Sequence, residues 1–164
     1  MDTLEIDRCL RTDPYTSPFY GGTFPIDLLP QPLLSNRIYV INLDESTQAG
    51  SHWVQLATLD GSICYFDSFG QPPPSQIIKT VAGKTINYCD IPIQSPLSQA
   101  CGYHILTVSL LQARGYSLLE ILTRCYRAQE EYYIRNDLFA AMLISTLTPL
   151  LERPLVDLSE LTEK

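Results

Sequence analysis

The chain has 164 residues, 45% hydrophobic and 18% charged, with a net charge of −7 and a pI near 4.7. That length suits one domain with a real core, and the acidic balance excludes a broad nucleic-acid footprint. Five cysteines (Cys9, Cys64, Cys89, Cys101 and Cys125) with no Cys-x-x-Cys pair exclude a zinc knuckle or a thioredoxin-like redox site.

Residues 2–12 read as a short helix, with Leu4, Ile6 and Leu10 apolar among charges. From Thr12 to Ser35 the chain is rich in Pro, Gly, Ser and aromatics and reads as loop, one that should cover Tyr15, Phe19, Tyr20, Phe24 and Leu28. Arg37–Leu43 and His52–Leu59 read as strands, and Asp60-Gly61 is a tight-turn signal that makes Ser62–Asp67 a third strand, antiparallel to the second. After Pro72-Pro73-Pro74 comes a short helix over Ser75–Val81 with Gly83 past its end, then a strand over Thr85–Ile91. Ser98–Ala113 is apolar on almost every side, as in a buried central helix, and Gly115 ends it. Ser117 and Glu120 form a capping box for the next helix. A last helix is predicted from about Gln129 to Leu150, with Glu131 and Arg135 one turn apart, a stop at Pro154 and a frayed tail over 155–164. Strands in the middle flanked by helices predict a single α+β domain over 1–164, its mixed or antiparallel sheet packed on the helix that carries Cys101. No apolar run is long enough to span a bilayer, and no secretory leader is visible, so a soluble intracellular protein with reduced thiols is expected. Arg114, Arg124, Arg127 and Arg135 fall close together but among Glu120, Glu130 and Glu131, a small local basic patch at most.

Four residues carry candidate chemistry. With Ser98 as N-cap, Cys101 takes the N3 position, where the positive end of the helix dipole favours the nucleophilic thiolate; Gly102 beside it leaves room for a substrate backbone. His52 opens a strand and can face a cleft as general base while Trp53 points to the other face. His104, one turn after Cys101 on the same helix, is a rival base, although side chains on one helix run roughly parallel and a base normally approaches sulfur from across a cleft. Asp67, on the strand paired with the His52 strand and roughly opposite it, can orient the imidazole; it is also placed to start the turn Asp67-Ser68-Phe69-Gly70. The Gln94 amide can donate to a developing oxyanion together with the Cys101 N–H.

The pair His52-Trp53, the segment Phe66-Asp67-Ser68-Phe69-Gly70, and the block Gln94-Ser-Pro-x-Ser-x-Ala-Cys101-Gly102 resemble adenain, the adenovirus cysteine endopeptidase family, over roughly residues 18–112. The early Phe19-Tyr20-Gly21-Gly22-Thr23-Phe24-Pro25 resembles that family's N-terminal stretch. The resemblance implies a papain-like arrangement shared with the SUMO-protease clan. In it His52 is the base, Asp67 the orienting acid, Gln94 the oxyanion donor and Cys101 the nucleophile, with Trp53 near the oxyanion site. It implies cleavage of viral precursor or capsid proteins at Gly-containing sites in the host nucleus or virion, with no metal or organic cofactor. It also implies an activating viral peptide, whose disulfide partner here would be Cys89, though a buried strand cysteine is the simpler reading of that residue. The family's stimulation by DNA is opposed by the charge of −7. Asp67 stands where adenain has Glu, and Tyr103-His104 replaces a Leu/Phe-type continuation. A protease for ubiquitin-like modifiers and a catalytically silent protease-like binding module are the alternatives; an acetyltransferase of the same clan lacks any sign of an acyl-CoA site.

Overall fold

Capping and turn residues set where each element starts and stops. The computed structural model of the protein describes residues 1–147. Helix α1 (Thr3–Thr12) opens on a capping box in which Asp2 accepts from the Glu5 N–H and Glu5 accepts from the Asp2 N–H. Ile6, Cys9 and Leu10 form its buried face.

The stretch 12–35 is not loop throughout. It contains strand β1 (Tyr20–Pro25) and a 3-10 turn at Ile26–Leu28. Gly21 and Gly22 hide the strand from pattern reading, and a Cβ on Gly21 would come within 2.6 Å of the Tyr39 ring, so the close approach of the two strands requires glycine there. The expected covering of aromatics holds for Phe19, Tyr20 and Phe24, which are half-buried, and fails for Tyr15 and Leu28, which are exposed. Tyr15 is instead capped on one face by the Arg114 guanidinium, 4.5 Å from its ring centre.

Four more strands follow: β2 (Ile38–Asn42), β3 (Trp53–Ala57), β4 (Ile63–Phe66) and, after helix α2 (Ser75–Thr80), β5 (Ile86–Tyr88). The sheet order is β1-β2-β3-β4-β5. The central pairs are antiparallel, while β1 runs parallel to β2 and β5 parallel to β4, so the sheet is mixed. β5 is shorter than the predicted 85–91 because the chain leaves the sheet there to pass against the turn at Gly70. A Cβ on Gly70 would lie 2.7 Å from the Ile91 carbonyl carbon and the Pro92 nitrogen.

Alternation along the strands divides the core. Val40, Trp53 and Phe66 join α1 and the central helix α3 (Cys101–Ala113) on one face. Tyr39, Ile41, Val54, Leu56, Ile63 and Tyr65 pack with Ile77 and Val81 on the other. Helix α3 is buried nearly all round, as its composition predicts, and the Gln55 amide donates to Ser109 Oγ at 3.0 Å to tie it to β3. Gly115, at φ 93°, lets the chain turn out of α3. Helix α4 (Leu118–Cys125) has the expected Ser117–Glu120 capping box. A 3-10 turn at Glu130–Tyr132 runs into α5 (Tyr133–Leu147), where Arg135 lies over the Tyr132 ring at 5.8 Å. The predicted helix end at Leu150, the stop at Pro154 and the tail 155–164 fall outside the described residues.

Arg124, Arg127 and Arg135 line one cavity of about 420 Å³, and Arg114 is not among its lining residues. Arg114 is bound to Asp13 by two hydrogen bonds of 2.7 and 3.2 Å, and Arg124 pairs with Glu120 at 3.5 Å. Among the described residues no helix is long and apolar enough to cross a membrane.

Gly70 and Gly61 separate backbone strain from steric contact. Both have positive φ, 67° and 73°, but the space where a Gly61 Cβ would go is open to 4 Å. Gly61→Ala is expected to lower unfolding free energy by about 1–2 kcal/mol from strain alone, and Gly70→Ala by more than about 3 kcal/mol. Urea denaturation of the two variants measures the difference, and equal losses would show that the 90–92 backbone does not press on Gly70.

Candidate active site

The hairpin that carries the site forms because Asp60 and Gly61 both adopt left-handed backbone, φ 50° and 73°, as a two-residue turn matched to strand twist requires. Its register pairs Gln55 with Phe66, Leu56 with Tyr65 and Ala57 with Cys64. Continued outward, that register sets Phe69, not Asp67, across from His52. The rough opposition expected of His52 and Asp67 is thus a diagonal one: the Phe69 ring stacks on the His52 ring at 4.5 Å, and Asp67 is within reach of the imidazole as expected, its Oδ1 2.8 Å from Nε2. Asp67 Oδ1 also accepts from the Phe69 N–H at 2.8 Å, so one carboxylate both starts the turn and holds the imidazole.

Cys101 reaches this pair from α3. The helix begins at Cys101 itself, with Ala100 as the cap residue, so the thiol stands at N1 rather than N3. Ser98 does not cap the helix because its hydroxyl donates to Asp137 at 2.7 Å while accepting from the Ala100 N–H at 3.2 Å. The N1 position still places the thiol at the unsatisfied N–H groups of the first turn. Burial would raise the Cys101 pKa, but the His52 imidazole and the backbone N–H groups of Trp53 and Gly102 outweigh it and hold the thiol below its ordinary value. Burial likewise opposes charge on His52, yet the hydrogen bond to Asp67 and the interaction with Cys101 push its pKa up to about 9. With Nε2 taken by Asp67, Nδ1 is the nitrogen left for the sulfur. Both shifts favour a thiolate beside an imidazolium.

Gln94 is fully buried, and its amide orientation follows from its partners: Ser68 Oγ donates to Oε1 at 2.6 Å, and Nε2 donates to the Ser98 carbonyl at 2.8 Å. One of its two amide hydrogens is thus engaged. Trp53 joins the same buried cluster as Cys101, and its indole N–H donates to the Met1 carbonyl at 3.3 Å. The room expected beside Gly102 is taken by Met1, whose Cβ and Sδ would lie 3.0 Å from a Cβ at that position.

His104 is not the base. It is fully buried, with Nε2 2.7 Å from Asp137 Oδ1 and Nδ1 3.3 Å from the Tyr126 hydroxyl. Cys89 is not a buried strand cysteine; it is half-exposed just past the end of β5 and lines a cavity of about 710 Å³ between that strand and α4. Sequence reasoning missed Ser68, Phe69 and Asp137 as neighbours of the site. The first two were visible as turn residues beside Asp67; the third is the one acid in α5, followed by the apolar run Leu138–Ile144.

No protein-family model matches the chain, and no curated protein matches it. Solved structures do. A crystal structure of the ASFV pS273R protease superposes with a TM-score of 0.56 at 18% identity, over 83% of this chain and 66% of that one, which shows a shared fold. A Se-Met crystal structure of the same protease matches at 26% identity and a TM-score of 0.41, over 61% of this chain and 43% of its own. The SUMO protease Ulp1, with its catalytic cysteine oxidized to a sulfinic acid, matches at 15% identity and a TM-score of 0.48, over 90% of this chain and 78% of its own. The chain therefore spans about two thirds of the first structure and less than half of the second. The α+β fold expected of a cysteine protease is the fold of a protease of known structure.

The electrostatics separate Cys101 from the other thiols, since burial pushes Cys64 and Cys125 up while Cys101 is held down. His52 is raised from its ordinary 6.5 to about 9, so its contribution to stability is complete below pH 6.5 and lost as pH rises through 9. The window in which a charged imidazole lowers the thiol pKa closes with that loss. Iodoacetamide at pH 7 with mass mapping should therefore label Cys101 well ahead of Cys64 and Cys125. Asp67→Asn should lower the upper limit of the window. A Cys101 rate that still climbs about tenfold per pH unit between 7 and 8.5 would show an ordinary thiol instead.

Proposed function

We propose that the chain is a cysteine endopeptidase, and the observation that carries the reading is the buried His52–Asp67 pair coupled to a thiol of lowered pKa at the start of α3. The fold shared with the ASFV protease supports it. Cys101 thiolate attacks the scissile carbonyl carbon, and the carbonyl electron pair moves to oxygen. The Gln94 amide and the Cys101 N–H receive that oxyanion. Collapse breaks the C–N bond, and the departing amine takes the proton from the His52 imidazolium. His52, now neutral and held by Asp67, removes a proton from water, which attacks the thioester. Carboxylic acid leaves and the thiolate–imidazolium pair is restored.

The substrates in this reading are viral precursor or capsid proteins cut at Gly-containing sites, within the host nucleus or virion. An activating peptide joined through Cys89 belongs to the same reading, and the half-exposed position of that thiol supports it.

The test is hydrolysis of a panel of Gly-containing peptides and ubiquitin-like conjugates by wild type and variants. Cys101→Ala is expected to abolish turnover with an unchanged melting curve. His52→Ala should cost about 10²–10⁴-fold and Gln94→Ala about 10²–10³-fold in kcat. Preference for the conjugates would replace the viral substrate class, and turnover that survives Cys101→Ala would end the thiol mechanism.

A further inference from the structure

A second His–Asp pair lies behind the nucleophile, and the chemistry above makes no use of it. Asp137 on α5 is 2% exposed, and both of its carboxylate oxygens are engaged. Oδ1 is 2.7 Å from His104 Nε2, and Oδ2 accepts from Ser98 Oγ at 2.7 Å. The preceding residue, Asn136, is 3% exposed, and its amide donates to the Ile93 carbonyl at 2.9 Å and the Arg127 carbonyl at 2.7 Å. Consecutive residues of α5 thus grip the segment 93–98 on both sides of Gln94. Within that segment the Ser98 carbonyl accepts from Gln94 Nε2 at 2.8 Å, and Gln94 Oε1 is held by Ser68, the neighbour of Asp67.

A buried carboxylate is unfavourable without full compensation, and an apolar side chain would pack between these helices without needing any. The compensation here is specific. His104 sits one turn beyond Cys101 on α3, so Asp137 refers the position of Ser98 to the helix that carries the nucleophile. We propose that Asp137 and His104 are positioning residues for oxyanion stabilisation: by holding the Ser98 hydroxyl they fix the carbonyl that orients the Gln94 amide. This rests on the oxyanion role assigned to Gln94 above. Amide direction matters because a donor contributes only if it already points where the negative oxygen will form.

Two reactions of Cys101 separate this role from a merely structural one. Acylation by p-nitrophenyl acetate passes through a tetrahedral oxyanion; alkylation by iodoacetamide does not. Ser98→Ala should slow acylation about tenfold and leave alkylation within about twofold. Ser98→Thr, which keeps the hydroxyl, should restore acylation, and in a Gln94→Ala background Ser98→Ala should cost nothing further. If Ser98→Ala does not fold, Asp137→Asn is read in the same way. Equal slowing of both reactions, or a full additional loss in the Gln94→Ala background, overturns the proposal alone. Fast alkylation of wild-type Cys101 without any acylation, or Gln94→Ala acylating at the wild-type rate, overturns it together with the oxyanion assignment.

Discussion

The 2.8 Å contact between His52 Nε2 and Asp67 Oδ1 depends on strand register, and much of the molecule serves to hold that register. The Asp60-Gly61 turn sets it locally. The alternation of Val54, Leu56, Ile63 and Tyr65 on one face, with Trp53 and Phe66 on the other, sets it by burial, because a slip of one residue would exchange the faces. Directly after the last paired residue, Phe66, Asp67 reaches the imidazole and starts a sharp turn. Gly70 makes that turn possible and lets the 90–92 backbone press against it. The same crossing returns the chain to Ser68, whose carbonyl accepts from both the Ile93 and Gln94 N–H groups. His52, Asp67 and the loop that leads to Cys101 are thus joined within one short stretch of backbone.

The environment of Cys101 shows two opposed effects with a definite winner. A thiol buried to this degree would ordinarily hold its proton, as Cys64 and Cys125 do. Cys101 differs because an imidazole tied to a carboxylate and two backbone N–H groups face the sulfur. Location at the start of a helix contributes, but the His52 imidazole is what distinguishes this thiol from the others.

Much of this was legible in the sequence because it is local. The hairpin, the Ser117–Glu120 capping box, the buried character of α3 and the order His52, Asp67, Gln94, Cys101 were readable there. The errors lie where distant residues decide. Strand β1 is invisible to pattern reading, since its Gly21 is chosen by the ring of Tyr39 rather than by strand propensity. Ser98 has the chemistry of a cap, yet its hydroxyl is drawn to Asp137, 39 residues away, and the helix starts later than predicted. His104 is a plausible base from spacing alone, and only the fold shows both of its nitrogens engaged in the core.

The two halves of the site have different origins in the chain. His52 and Asp67 are 15 residues apart on one hairpin, whereas Cys101 arrives on a helix that must first dock against β3. A hairpin closes on the microsecond scale from local contacts, while helix docking waits on longer-range assembly. Reactivity is thus a property of the assembled protein and not of any segment of it. While the chain is being synthesised, or whenever α3 leaves the sheet, the thiol reverts to an ordinary cysteine. The lowered pKa of Cys101 is therefore a signature of the assembled fold, absent wherever α3 is not docked on β3.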